Sequence, residues 1–211
     1  MKGLLYSDYI NSRSGFKIYT GLAIFYTLLS LMAYNAIDIG VFILFFFSAL
    51  TLQPFSYDEM NQWKQFLAST PVGRRKLVQS RYLFALLCLL YGLALSLLMQ
   101  LVNQLSGGAS LLVQAPVLLL SFSFILLMVS IDLPLVYRWG PEKGRIIIIA
   151  LLILPLIVFT AISTLDGMVE ALSAFLLTSH LLLPVVMFLV AVVAFLLSLT
   201  LSTRIFLRKE L

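Results

Sequence analysis

"SYDEMNQWKQFLASTPVGRRK", residues 56–76, sets six charged side chains between two apolar runs. Where this stretch sits decides how the chain is threaded. Upstream lies the run Ile37 to Gln53 and downstream the run Tyr82 to Asn103; a bilayer core takes about 20 apolar residues to cross. Ser56 followed three residues later by Glu59 has capping-box spacing, in which each side chain satisfies an N–H left free at a helix start. The spacing therefore predicts a short helix from Ser56. Along it Met60, Trp63 and Leu67 recur every three or four residues, with Asp58, Asn61, Gln62, Lys64 and Gln65 on the other faces. Pro71 ends it, because proline cannot continue a helix and restricts the residue before it. Arg74, Arg75 and Lys76 then lead towards the next run, where long cationic side chains reach anionic headgroups.

The chain around this stretch is 62% hydrophobic and 11% charged, with a mean hydropathy of +1.07. Soluble domains run at about 45–50% apolar and about 25% charged, so a water-soluble globular fold is excluded. Six apolar runs span roughly residues 18–34, 37–53, 82–103, 112–137, 146–165 and 181–203. They predict an all-α integral membrane protein with six transmembrane helices in one domain over residues 1–211. The cations then sort themselves. Lys2, Arg13 and Lys17 precede the first run, and Lys64, Arg74, Arg75, Lys76 and Arg81 lie between the second and third. Arg138, Lys143 and Arg145 fall between the fourth and fifth, and Arg204, Arg208 and Lys209 close the chain. All lie on one side. The other side offers Asp38, Asp166 and Glu170. By the positive-inside rule both termini and the 56–76 stretch are cytoplasmic. A miscount by one run would scatter the later clusters across both sides, so the sorting independently supports six.

Other positions carry weaker signals. Cys88 is the only cysteine and lies within a run, so an intrachain disulfide is excluded. The charges at Asp8, Arg13 and Lys17, with no small-residue cleavage site after them, fit a retained first span better than a removed leader. Leu4, Leu5, Tyr9, Ile10 and Ser12 suggest a short interfacial helix before it; a frayed amphipathic terminus is the plainer reading. Asp132 is the only carboxylate inside a predicted span, where a charge at midplane costs about 2.5–3.5 kcal/mol. It stands six residues from Arg138, roughly 9 Å of helix rise. A structural ion pair or cap is expected there ahead of a proton relay. Asp166 heads a segment with Met168, Leu172, Phe175 and Leu176 on one face, read either as an outer surface helix or as a simple joint. His180 has no companions at ligand spacing, so no metal site is predicted. Phe45, Phe46 and Phe47 wrap around the second span and do not share one face. Small residues such as Gly92, Ser96, Ser121 and Ser123 favour close helix packing.

Some chemistries find no residues to carry them. No G-x-x-x-x-G-K-[ST] phosphate loop occurs, so a nucleotide-binding domain is not expected. No Ser-His pair or paired acids at matching depth suggest an intramembrane enzyme. A secondary transporter or channel remains the alternative, although it would normally show ionisable residues deep in its spans or paired broken helices.

The opening "MKGLLYSDYINSR", the loop "YDEMNQWKQFLASTPVGRRKLVQSRYL" and "LPLVYRWGPEKGR" at residues 133–145 together resemble the permease subunits of type-2 ATP-binding-cassette (ABC) exporters, in particular the small bacterial six-span branch. In the first loop the resemblance rests on Asp58, Glu59, Trp63, Thr70, Pro71, Arg74, Arg75, Lys76, Ser80, Arg81 and Tyr82. In the second it rests on Pro134, Tyr137, Arg138, Gly140, Glu142, Lys143 and Arg145. The resemblance implies a dimeric permease in a bacterial inner membrane, built from two copies or from this chain and a related one. Two ATPase subunits would bind ATP and Mg, with no cofactor and no nucleic acid held by this chain. It makes the N-terminal segment an elbow helix and the first loop a coupling helix that touches the ATPase through Asp58, Glu59, Met60, Trp63, Lys64 and Leu67. Gly140, Glu142 and Lys143 belong to the second cytoplasmic loop, and Asp132 is a candidate intramembrane polar site. Spans without fixed charge rings suit amphipathic cargo better than highly charged solutes; export of peptides is favoured, with lipids or drugs next.

Overall fold

The computed structural model describes residues 2–33, 39–60, 74–106, 111–140, 142, 143, 146 and 182–208, and its regular structure there is helical throughout. In chain order the helices are α1 (Lys2–Ala33), α2 (Ile39–Leu50), α3 (Gln53–Met60), α4 (Arg74–Leu105), α5 (Leu111–Trp139) and α6 (Leu182–Arg208). Among the described residues three stretches are long and apolar enough to cross a membrane: Arg75–Leu105, Gln114–Trp139 and Leu182–Leu207. They coincide with the predicted third, fourth and sixth spans. Apart from Ile146, the predicted fifth span lies outside the described residues, as do the Asp166 segment and His180.

The first two predicted spans take a different form. An interfacial helix followed by a separate span was expected at the N-terminus, but α1 is a single helix of 32 residues, about 48 Å long at 1.5 Å per residue. No proline or cap interrupts it. Asp8, Ser12, Gly15, Ala23 and Thr27 are its buried positions, a helical stripe that runs unbroken from the polar N-terminal part into the apolar part. Gly15 lies where the next elements cross α1: a Cβ there would sit 2.5 Å from Leu50 Cδ2 and 2.6 Å from Gln53 Oε1. Only a residue without a side chain lets that corner come so close.

That corner also ends α2 earlier than the apolar run suggests. α2 has 12 residues, about 18 Å of rise, against a hydrocarbon core of about 30 Å. Thr51 and Leu52 form a turn, with Thr51 N–H donating to Ser48 O at 3.0 Å and Leu52 N–H to Ala49 O at 3.3 Å. α3 then starts at Gln53, three residues before the predicted capping box. The starting signal is Pro54, which in the first turn loses no intrahelical hydrogen bond and brings a preset φ. Ser56 falls inside the helix, its Oγ donating back to Leu52 O at 3.4 Å. Ser56 is therefore an interior residue of α3 and not its first cap.

Two apolar clusters hold the elements together. One joins Ala23 of α1, Ile43, Phe47 and Leu50 of α2, and Phe84 and Cys88 of α4. The other runs from Leu44 and Phe55 through Val78, Tyr82, Ala85 and Leu89 of α4 to Leu126, Val129 and Leu133 of α5 and Ala191 and Phe195 of α6. α5 and α6 pack on each other more extensively than any other pair. The phenylalanine triplet divides as its period requires: Phe47 is fully buried and presses on Gly92, where a Cβ would lie 2.9 Å from its own Cβ. Phe46 stacks on Tyr19 and Tyr26 instead. α5 ends at Gly140, whose φ of 92° and N–H bond to Val136 O at 2.9 Å make the left-handed stop that glycine accepts without a Cβ clash. Along α6, Leu189, Val193, Leu196 and Leu197 are more than half exposed, a face suited to acyl chains.

Candidate functional site

Arg81 enters α4 one turn past its basic start, and only 4% of it is exposed. A guanidinium needs partners when water is removed, because an isolated buried charge is very costly. It has two. Nη1 lies 2.9 Å from Asp8 Oδ1 of α1, and Nη2 donates to Asp58 Oδ2 of α3 at 2.5 Å. The Phe55 ring lies 5.2 Å from the guanidinium carbon, measured to its centroid, within cation–π range. One cation therefore ties the N-terminal helix, the loop helix and the third span at a single buried point.

Two carboxylates share that cation. Burial pushes the Asp8 carboxyl up from 3.8 to about 6 and the neighbouring Asp58 adds to the rise, while Arg81 opposes it.

The aromatic contacts extend the junction to the other side of the molecule. Phe55 meets Tyr137 of α5 edge-on at 5.2 Å between ring centroids, and Tyr137 meets Phe206 of α6 at 5.6 Å. Next to Arg81 in sequence, Tyr82 faces α5 and α6. Its hydroxyl lies 2.7 Å from Ser198 Oγ and 2.6 Å from Ser202 Oγ, and Ser198 Oγ donates to Ser130 O at 2.5 Å. A hydroxyl has one proton to give. Ser198 has given its own to Ser130, so Tyr82 donates to Ser198 and Ser202 donates to Tyr82, which fixes one direction for the whole chain of bonds. α3 is thus rooted in α1 and α4 by charge and in α5 by aromatic contact, with α6 reached through Tyr137.

The predicted site residues distribute unevenly about this junction. Asp58, expected on the ATPase-facing side, turns inward and is 8% exposed. Glu59 and Met60 close the described part of α3, whereas Trp63, Lys64 and Leu67 lie outside the described residues. Gly140 caps α5 as described, and Glu142 and Lys143 are exposed just beyond it. Asp132 is 1% exposed, and its Oδ1 has no hydrogen-bond partner among the described residues. The ion pair expected for it is not made there. Pro134 and the long rise to Arg138 do not bring the cation back to it, because the helix carries Arg138 to the exposed end while Asp132 faces the core. No group of three or more His, Cys, Asp or Glu comes together as a metal site among the described residues.

Two residues of the junction were not expected to meet. Asp8 read as one of several N-terminal charges, and Arg81 as a flanking cation and one of the residues that carry the family resemblance. The stripe Asp8–Ser12–Gly15, which puts an acid on the small-residue face of an otherwise apolar-cored helix, was the available signal.

A family model described as ABC-2 family transporter protein matches residues 3–207. No curated protein and no solved structure matches the chain.

Proposed function

The chain belongs to the ABC-2 transporter family, and from that premise we propose that it is the permease subunit of an exporter powered by separate ABC ATPases. Six spans with both termini in the cytoplasm are the topology that the one-sided distribution of lysine and arginine supports. Two permease copies, or this chain and a related one, enclose the pathway in the inner membrane of a bacterium. Each engages one ATPase subunit, which supplies ATP, Mg and hydrolysis. The cargo is amphipathic, with peptides favoured, because the spans offer no ring of fixed charge to replace the hydration of a highly charged solute.

The observation that carries this reading is the burial of Arg81 between Asp8 and Asp58. A helix that is to transmit a push needs an inflexible root. In α3 the inward Asp58 supplies the root, which leaves Glu59, Met60, Trp63, Lys64 and Leu67 to meet the ATPase. Movement imposed there would pass through Arg81 to α4 and α1, and through Phe55 and Tyr137 to α5 and α6. Alternating exposure of a central cavity is the mechanism we assign to that motion.

The test uses the chain purified together with its ATPase and reconstituted into vesicles. Glu59→Gln with Trp63→Ala should leave the permease folded, with an unchanged melting temperature, and lower transport-coupled ATP hydrolysis about ten-fold or more. Unchanged assembly and unchanged coupled hydrolysis would remove the coupling role from α3.

A further inference from the structure

A second feature lies on another side of α1, away from the Arg81 junction. A groove of about 1250 Å³ runs between α1 and α4. From α1 it is lined by Tyr6, Tyr9, Arg13 and Lys17, and from α4 by Leu87 and Tyr91. The α1 residues are spaced by three, four and four, so they form one stripe along the helix. Phe16 forms the floor, its ring 5.8 Å from that of Tyr9 and 5.7 Å from that of Tyr91. Arg13 and Lys17 are exposed, and no described carboxylate lines the groove. Asp8, the nearest acid in sequence, faces Arg81 instead.

We propose that this groove seats an anionic glycerophospholipid, its phosphate between Arg13 and Lys17 and an acyl chain along Leu87. Three observations select that occupant. The two cations stand where α1 passes from its polar N-terminal part into its apolar part, which is headgroup depth, and Tyr6 and Tyr9 flank them as interfacial tyrosines do. The space exceeds the about 300–1,000 Å³ of drug-sized sites and is apolar on its α4 side, so it fits a long amphiphile. Charge also argues against a second copy of this chain as the occupant. A two-fold contact brings a patch against itself, and here Arg13 and Lys17 would face their own counterparts without a carboxylate between them. An anionic headgroup attracts both cations instead.

Native mass spectrometry of the purified full-length chain in non-ionic detergent reads the bound lipid directly. Phosphatidylglycerol should form a one-to-one adduct at concentrations where phosphatidylcholine of the same acyl chains does not. Arg13→Gln with Lys17→Gln should weaken that adduct about thirty-fold, the loss of two near-surface cations, whereas Arg13→Lys with Lys17→Arg should keep it. A second variant leaves every charge in place. Gly21 lines the groove with nothing within 4 Å of a Cβ, so the side chain of Gly21→Phe starts in open space within the acyl track and should also expel the lipid. Equal binding of the two lipids, or an adduct unaffected by both variants, would overturn the proposal. So would displacement of the lipid by glycerol phosphate, which would mean that a free phosphate is the ligand, or a change in the ratio of monomer to dimer in the glutamine variant, which would make the face a contact between copies.

Discussion

The buried cluster at Arg81 makes two predictions for single residues. Arg81→Gln leaves Asp8 and Asp58 facing each other without their cation; breaking a buried pair in this way costs about 3–5 kcal/mol. The variant should melt well below the parent in detergent, and adding Asp8→Asn and Asp58→Asn together should recover most of the loss. Asp8 gives the pH dependence. Its folded carboxyl titrates near about 6 against 3.8 for an unburied one. Between about pH 4 and 6 the folded chain therefore holds a proton that the unfolded chain has released, so stability falls as pH rises through that window and levels off above it. Melting temperatures recorded from pH 4 to 8 should show this slope in the parent and lose it in Asp8→Asn. A flat parent curve would mean that burial does not govern the Asp8 carboxyl. At this scale the sequence was least legible. The Asp58 and Arg81 side chains meet across 23 positions, and Asp8 is further still. No local spacing rule brings such residues together, and the reading of Asp58 as outward followed from its place among polar neighbours. Asp132 shows the same limit: its place within a long apolar helix was legible, whereas its lack of a partner among the described residues depends on which way α5 faces.

For the elements, the corner between α2 and α3 is the part the apolar pattern misplaced. Hydropathy alone carries the second run on to Gln53, because Thr51 and Leu52 interrupt neither its apolar character nor its length. The turn comes from backbone and hydroxyl bonds, including Thr51 Oγ1 donating to Ser48 O at 2.7 Å, and from Pro54 opening the next helix. Capping-box spacing at Ser56 and Glu59 was a true local preference that the earlier start overrode. Gly15 tests the corner as a unit. Gly15→Leu places atoms where Leu50 and Gln53 already are, and overpacking of this kind costs about 1–3 kcal/mol. The variant should melt lower than the parent and lose ATPase coupling together with stability, whereas Gly3→Leu, at a position open on the same helix, should change neither. Equal behaviour of the two would mean that α1 does not hold the α2–α3 corner. The long apolar runs at α4, α5 and α6 were read correctly, since composition over 20 or more residues outweighs any local signal.

Across the whole molecule, charge placed in sequence does the work that a hydrophobic core does in water. Apolar side chains cover much of the exposed helix surface, and among the described residues Arg81 with Asp8 and Asp58, and Tyr82 with Ser198 and Ser202, join polar groups from different helices. The family match over residues 3–207 agrees with that plan, and the three described spans agree with its hydropathy. What remains to be tested most directly is the side of the membrane on which the loop after α3 lies. Cys88 is the chain's only cysteine and is buried, so Cys88→Ala with Trp63→Cys gives a single addressable thiol. In intact cells a membrane-impermeant maleimide should leave this thiol unmodified, and in inside-out vesicles it should label it fully. Labelling from the medium in intact cells would reverse the threading, put the loop out of reach of any cytoplasmic ATPase, and contradict the account.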